Sequence, residues 1–475
     1  MAIMQTTIVS MTALVLSGCM ALAPAPQVPS WPSDMPAQWQ STAPAAAEPV
    51  NQSWWRSFGS EQLSQTIEKA QIQSLDMAAA MARVQQARAH ARHAEAGMWP
   101  EMNGSVSAAQ EGAFKHRAQG SVSQWSAGLT ASYEVDFWGR QREENSAAQS
   151  KWQASVFERD TVRLTIEAAV AHAWFQCVSW QERAGIAQQN LTVAQRLLQV
   201  VESKARWGAA TRLDVAQQRG LVAAQQREVA RMVQQQADAQ AELALLSAEW
   251  ETGCSFPPGL QSLNVPHIEP TVPALLLARR PDIARSEALL SAAHADLQAA
   301  RAAMLPRITL TADITAQSSP FSQILRNPLH TLAAGLITPI FDAGRLAAQR
   351  DGAAAHQQAL LVGYQQSIMQ AFNDVQLALN ASAGIHQQAV AQAEELAQAH
   401  QALALAEVSY RHGAQTLTTL LNTQSALYQA NDMALALHQQ RLSASVDFYK
   451  ALGGGWEHTY KHPQDFSLVT QEEQR

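Results

Sequence analysis

The sequence predicts a mixed α and β membrane protein in which each chain contributes four β-strands and two pairs of long coiled-coil helices. Three observations carry this: two long tracts without proline, a repeat of the whole pattern at about 205 residues, and short stretches that alternate apolar and polar side chains. With 15% charged and 6% aromatic residues, the 475-residue chain suits closely packed helices better than an ordinary globular core. The net charge is -7 and no Lys/Arg-rich run is present. That excludes nucleic acid as a partner, because no patch is available to neutralise phosphates.

At the N-terminus an apolar run ends in Leu16-Ser17-Gly18-Cys19. It resembles a bacterial lipoprotein signal occupying residues 1–18, with cleavage before Cys19 and acylation of its thiol and new amino group. The first residues carry no Lys or Arg, a departure from that pattern, and Met20 follows where an Asp would suggest retention at the inner membrane. Residues 19–52, rich in Pro, Ala and Ser, read as a lipidated tether. No later stretch of ~20 apolar residues is available for a transmembrane helix, so any crossing must be made by strands.

Two copies of one multi-element unit follow, 53–257 and 258–456, with a polar tail at 457–475. Ala96-Gly97-Met98-Trp99-Pro100 is echoed by Ala302-Ala303-Met304-Leu305-Pro306, and Phe137-Trp138-Gly139-Arg140 by Phe341-Asp342-Ala343-Gly344-Arg345. Arg206-Trp207-Gly208-Ala209 returns as Arg411-His412-Gly413-Ala414.

In the first copy, residues from Ile166 through Val170, Ala173, Cys177 and onward to Ala205 fall at alternating steps of four and three, a coiled-coil seam. The second copy repeats the seam from Ala371 to Tyr410. A helix from Gly139 to about Ala205 would be ~100 Å long. Gly208 and Gly413 end the long helices, and return helices run over Leu213–Glu251 and Thr416–Leu452, giving helical hairpins at 139–251 and 344–452. Cys177 reads as a small packed hydrophobe, and Cys254 would sit ~25 Å away along such a hairpin, too far for a disulfide.

The strands come in two hairpins, 101–137 and 307–341. From Trp125 to Phe137 every odd residue is apolar or small, and Thr130, Ser132, Glu134 and Asp136 fall on the other face. From Arg307 to Ala316 the apolar face is Ile308, Leu310, Ala312 and Ile314, opposite Thr309, Thr311 and Asp313. Tilted strands of ~9–11 residues cross a bilayer in this way, lipid-facing side chains alternating with lumen-facing ones. Thr130, Ser132, Glu134, Asp136, Thr309, Thr311 and Asp313 are therefore the expected lumen residues. Trp99, Tyr133, Phe137, Trp138 and Phe341 cluster at the helix-joining ends as one aromatic girdle, with Trp125 near the other. Four strands cannot close a barrel, and open edges in hydrocarbon are costly, so several subunits must share one.

With Trp54-Trp55-Arg56-Ser57-Phe58, Leu277-Ala278-Arg279-Arg280-Pro281-Asp282-Ile283, Asp136-Phe137-Trp138-Gly139-Arg140, Pro339-Ile340-Phe341-Asp342-Ala343-Gly344-Arg345 and Ala451-Leu452-Gly453-Gly454-Gly455-Trp456 in order along the mature chain, the protein resembles the TolC-like outer-membrane efflux proteins, in particular their lipidated branch. The resemblance implies a homotrimer with a shared twelve-stranded barrel continuous with a twelve-helix periplasmic tunnel. It implies an exit duct that docks a periplasmic adaptor and an inner-membrane transporter, commonly of the resistance-nodulation-division type. It also implies that the helical turns at the periplasmic tip form the gate and the adaptor contact. These map to Arg206, Trp207, Gly208 and Asp214 in the first copy and Tyr410, Arg411 and Gly413 in the second. Thr419 and Asn422 stand where some members carry aspartates.

A periplasmic coiled-coil lipoprotein acting as adaptor or spacer would explain Cys19 and the seams but leaves the strand hairpins without a role. An enzyme is disfavoured: no Gly-rich phosphate loop, G-x-S-x-G elbow or H-E-x-x-H occurs. His90 and His93, three apart on a helix, read as a polar face, and no metal or other cofactor is expected.

Overall fold

A computed structural model describes residues 51–111, 122–249, 256–257, 259–266, 268 and 273–457. The signal, Cys19, most of the tether, Cys254 and the tail beyond residue 457 lie outside the described residues.

Helices α1 (Glu61–Gln73) and α2 (Leu75–Ala96) precede strands β1 (Glu101–Glu111) and β2 (Val122–Val135), then α3 (Arg140–Arg206) and α4 (Arg212–Ser247). After a short α5 (Pro273–Arg279) the order returns: α6 (Pro281–Ala302), β3 (Arg307–Ser318), β4 (Leu329–Ile337), α7 (Arg345–Arg411) and α8 (Leu417–Ala451). Both α3 and α7 have 67 residues, so the strand pair, long helix and return helix recur at nearly constant length. Each first helical residue follows a glycine in the left-handed region, Gly139 at φ 82° and Gly344 at φ 83°, which turns the chain from strand to helix without a Cβ penalty.

The chain packs as two compact units, and each draws on both copies. Among the described residues, one contains 85–155 and 286–365, with the whole sheet; the other contains 51–84, 156–285 and 366–457.

In the first unit all four strands form one antiparallel sheet in the order β1-β2-β3-β4. The two hairpins are thus joined through β2 and β3, while β1 and β4 each have one partner among the described residues. Strand β4 stops at Ile337, short of the expected Phe341, because Pro339 has no N–H to extend a ladder. Among the expected girdle residues, Trp99, Phe137 and Phe341 are exposed. Trp138 instead donates its indole N–H to the carbonyl of Pro306 at 2.7 Å, and Trp125 packs edge-on against Phe321, centroids 5.1 Å apart.

In the second unit the seam positions Val170, Cys177 and Ala194 of α3 and Ala371 and Val375 of α7 are fully buried. Helix α4 ends at Ser247, four residues before the expected Glu251: Ala248 turns left-handed at φ 52°, and the Glu249 amide closes back on the Ala244 carbonyl. At the other end of this unit the sequence motifs meet. Trp54 stacks on Tyr449 with centroids 5.3 Å apart and donates to the buried Glu167 at 3.4 Å. Arg280 is bidentate to Asp282, pairs with Asp374 at 2.9 Å and donates to the Ala451 carbonyl. Trp456 donates to Asp160 at 3.0 Å. The Trp, Arg and Gly clusters therefore fasten the two ends of the described chain to α3 and α7. Gly453, at φ 89°, runs so close to Arg279 that a Cβ there would lie 1.9 Å from its carbonyl oxygen.

Candidate functional site

The tip turns are built from residue types that stop and restart helices. In the first, the Gly208 amide bonds the Ala205 carbonyl and the Ala209 amide the Lys204 carbonyl, a Schellman pair made possible by Gly208 at φ 76°. Gly413, also at φ 76°, repeats it: its amide reaches the Tyr410 carbonyl and the Ala414 amide that of Ser409. Thr211 and Thr416 then cap the return helices, each hydroxyl accepting from the amide three residues on.

Asp214 was expected at the gate, and its carboxylate is engaged within its own turn. It accepts from the Thr211 amide at 2.7 Å and the Thr211 hydroxyl at 2.8 Å, completing a capping box. Thr419 occupies the equivalent place in the second copy, its hydroxyl 3.2 Å from that of Thr416. Asn422, Arg206, Trp207, Arg411 and Gly413 are exposed. Trp207 is 87% exposed.

The two turns meet through a shared core. Val201, Ala406, Leu417 and Leu420 are buried together, with Val215 and Tyr410 packed against them. The Lys204 ammonium lies 4.2 Å from the Tyr410 ring centroid. Partial burial pushes the Tyr410 phenol up, and the Asp214 charge adds to it. Tyr410 and Asp214, drawn from different copies, therefore come together; Lys204 and Thr211 complete the group and were missed in the sequence. The T-x-x-D spacing of Thr211 and Asp214 was the signal available for one of them.

On the sheet, register decides which residues share a face. Thr130, Ser132 and Glu134 of β2 stand directly opposite Asp313, Thr311 and Thr309 of β3. These six lie on one face with Asn103 of β1 and Thr331 of β4. The other face carries Met102 and Val106, Leu129 and Tyr133, Leu310 and Ile314, and Leu332 and Leu336, an apolar band across the four strands interrupted by His330 of β4. Most of it is exposed in the single chain, Leu332 by 82% and Met102 by 72%.

Asp136 departs from the expectation. The strand ends at Val135, and the Asp136 carboxylate accepts from the amides of Gln141 and Arg142 and pairs with the Arg142 guanidinium at 3.0 Å, capping α3. Partial burial pushes this carboxyl up, but those amides and the guanidinium prevail and hold it below its ordinary range. Glu134 keeps its face but is held by Arg140 at 3.0 Å.

No group of three or more His, Cys, Asp and Glu side chains arranged to hold a metal occurs among the described residues, and no helix there is long and apolar enough to cross a membrane.

A sequence profile described as "Outer membrane efflux protein" matches residues 66–249 and 272–454. The chain is 43% identical over 433 residues to the pyoverdine export outer membrane protein OpmQ of Pseudomonas putida, covering 89% of this chain and 92% of that one. It is 31% identical over 455 residues to the cation efflux system protein CusC of Escherichia coli, covering 94% and 97%. Among solved structures, one of CusC, described in terms of folding and transmembrane channel formation, superposes with a TM-score of 0.79 at 29% identity, covering 87% of this chain and 99% of that one.

Proposed function

The chain belongs to the outer membrane efflux protein family, and from that membership we propose how its own residues line and close an exit duct. It is an outer-membrane efflux channel of the TolC-like fold. It works as a trimer with a periplasmic adaptor and an inner-membrane pump, and its helical hairpins form the periplasmic tunnel.

The face carrying Thr130, Ser132, Glu134, Thr309, Thr311 and Asp313 lines the water-filled barrel, and the opposite apolar band faces lipid. The observation that carries this is the register, which gathers the polar side chains of β2 and β3 on one face and most large apolar ones on the other, Leu329, His330 and Ile337 of β4 excepted, and leaves β1 and β4 with one partner strand each among the described residues. A free edge in hydrocarbon leaves peptide groups unpaired at several kcal/mol each, roughly, so each edge pairs with the next subunit.

The tip turns close the periplasmic end and meet the adaptor, with Trp207 as the exposed apolar contact. Asp214 serves by bracing its turn, and Lys204 on Tyr410 fastens one copy to the other. Cys19 is the lipidation site, the pump is of the resistance-nodulation-division type, and the two matched segments are the two repeats. The duct is passive and carries no catalytic chemistry; pump and adaptor choose the cargo. An organic cargo of the kind exported by the 43%-identical relative is preferred over a metal cation on the strength of that identity.

Conductance tests the lining. Purified trimer in a planar bilayer should pass ions, and bulky thiol reagents should reduce the current through Thr311→Cys but not through Leu310→Cys. Block of both, or of Leu310→Cys alone, would refute the assigned faces.

A further inference from the structure

We propose that the junction of β3, β4 and α7 holds a binding subsite for an organic oxyanion within the duct. A cavity of about 500 Å³ opens there, lined by Arg140, Arg307 and Arg345, the first residues of α3, β3 and α7. Arg307 lies on the same sheet face as Thr309, Thr311 and Asp313, so the subsite rests on the reading that this face lines the duct.

The internal duplication shows which of these cations is structural. Arg140 and Arg345 are counterparts, each following its left-handed glycine. Arg140 is neutralised locally, by Glu134 at 3.0 Å and Glu144 at 2.6 Å. At the repeat spacing, Pro339 and Gln349 replace those two carboxylates; both line the cavity, beside Glu144, which is held by Arg140. The counterpart of Arg307, after the matching proline, is Glu101, so the charge is reversed there as well. The second copy has thus exchanged three acids for two neutral residues and a cation around one opening.

Two further acids stand near the opening. Asp296 pairs with Lys151 at 2.8 Å, and Asp342 accepts from the amides of Gly344 and Leu346 while lying near enough to Arg345 to attract it. No ion pair joins Arg307 or Arg345 to a carboxylate among the described residues. Two guanidinium forks on a concave wall suit paired carboxylates or similar planar oxyanions, which each fork can hold with two hydrogen bonds. The chemical class is a soluble organic polyanion small enough for such a cavity.

Citrate is the probe. The purified trimer is reconstituted in a planar bilayer, and the citrate concentration that halves the current is compared with that for spermine, a small polycation. The Arg307→Gln/Arg345→Gln pair should raise the half-blocking citrate concentration about tenfold and leave spermine block unchanged, while Arg350→Gln, in an arginine paired with Asp351 outside the cavity, changes neither. Calorimetric titration of citrate into the detergent-solubilised trimer should show the same tenfold loss. Conducting channels whose citrate block and citrate affinity are unaltered by the pair overturn the subsite and leave the duct standing. Citrate binding that depends on both arginines without any block overturns its placement in the duct. A wild-type protein that passes no current contradicts the duct itself.

Discussion

Lys204 of α3 lies over the ring of Tyr410 of α7, its ammonium 4.2 Å from the ring centroid, and so joins the last turn of one long helix to that of its duplicate. Such a contact contributes ~0.5–1 kcal/mol at a partly exposed site. If it helps hold the tip closed, Lys204→Met should raise the open fraction of single channels in planar bilayers about two- to fivefold. An unaltered open fraction would remove this contact from the closure.

The Asp214 carboxylate braces its turn through Thr211. Losing that cap costs ~1 kcal/mol, which loosens the start of α4. Thr211→Val keeps the carboxylate and removes its hydroxyl partner, so it should raise conductance as much as Asp214→Ala does. A response to Asp214→Ala alone would show that the charge acts directly on the opening.

Burial pushes the Glu167 carboxyl up to about 7, against Arg163, Gln71 and Trp54, which favour its charged form. Between its ordinary value of 4.5 and about 7 the folded protein holds a proton that the unfolded chain releases. This contribution is fully present below the lower value and is lost as pH rises through the window, amounting to roughly 3 kcal/mol. Thermal unfolding in detergent should therefore show Glu167→Gln gaining on the parent protein as pH rises from 5 to 8. A constant difference between the two would refute the proton's presence.

Two glycines separate backbone necessity from tolerance. Gly453→Ala puts a methyl 1.9 Å from the Arg279 carbonyl at a left-handed residue, and should cost several kcal/mol and deplete trimer from the outer membrane. Gly185→Ala, in the interior of α3 with nothing within 4 Å of the new methyl, should gain ~0.5–1 kcal/mol. Thermal shift of both variants tests the contrast; equal effects would contradict it.

The long helices were legible because a seam of Ala, Val and Leu without proline has one regular solution, and the structure runs them over Arg140–Arg206 and Arg345–Arg411. The alternation at residues 125–135 announced β2 equally well. Legibility failed where position in three dimensions gives a residue its role. Asp136 continues the alternation by one step, yet the helix that follows takes its carboxylate as a cap. Glu167 resembles any acid on a helix until Trp54 and Gln71 enclose it. Asp214 carried a readable capping signal in its T-x-x-D spacing from Thr211. The charge exchange around Arg345 emerges only when register and duplication are laid together.

The central claim is that β1 and β4, the free edges of one chain, pair with neighbouring subunits to close a shared barrel. Within a chain they are three strand spacings apart, ~14 Å, beyond disulfide reach. The direct measurement pairs Ser107→Cys in β1 with cysteine at Thr331, Ala333 or Gly335 in β4, in a Cys254→Ser background, oxidises intact outer membranes and resolves the products without reductant. The account predicts dimer and trimer bands from at least one pair and from neither single variant; monomer alone from every pair would contradict it.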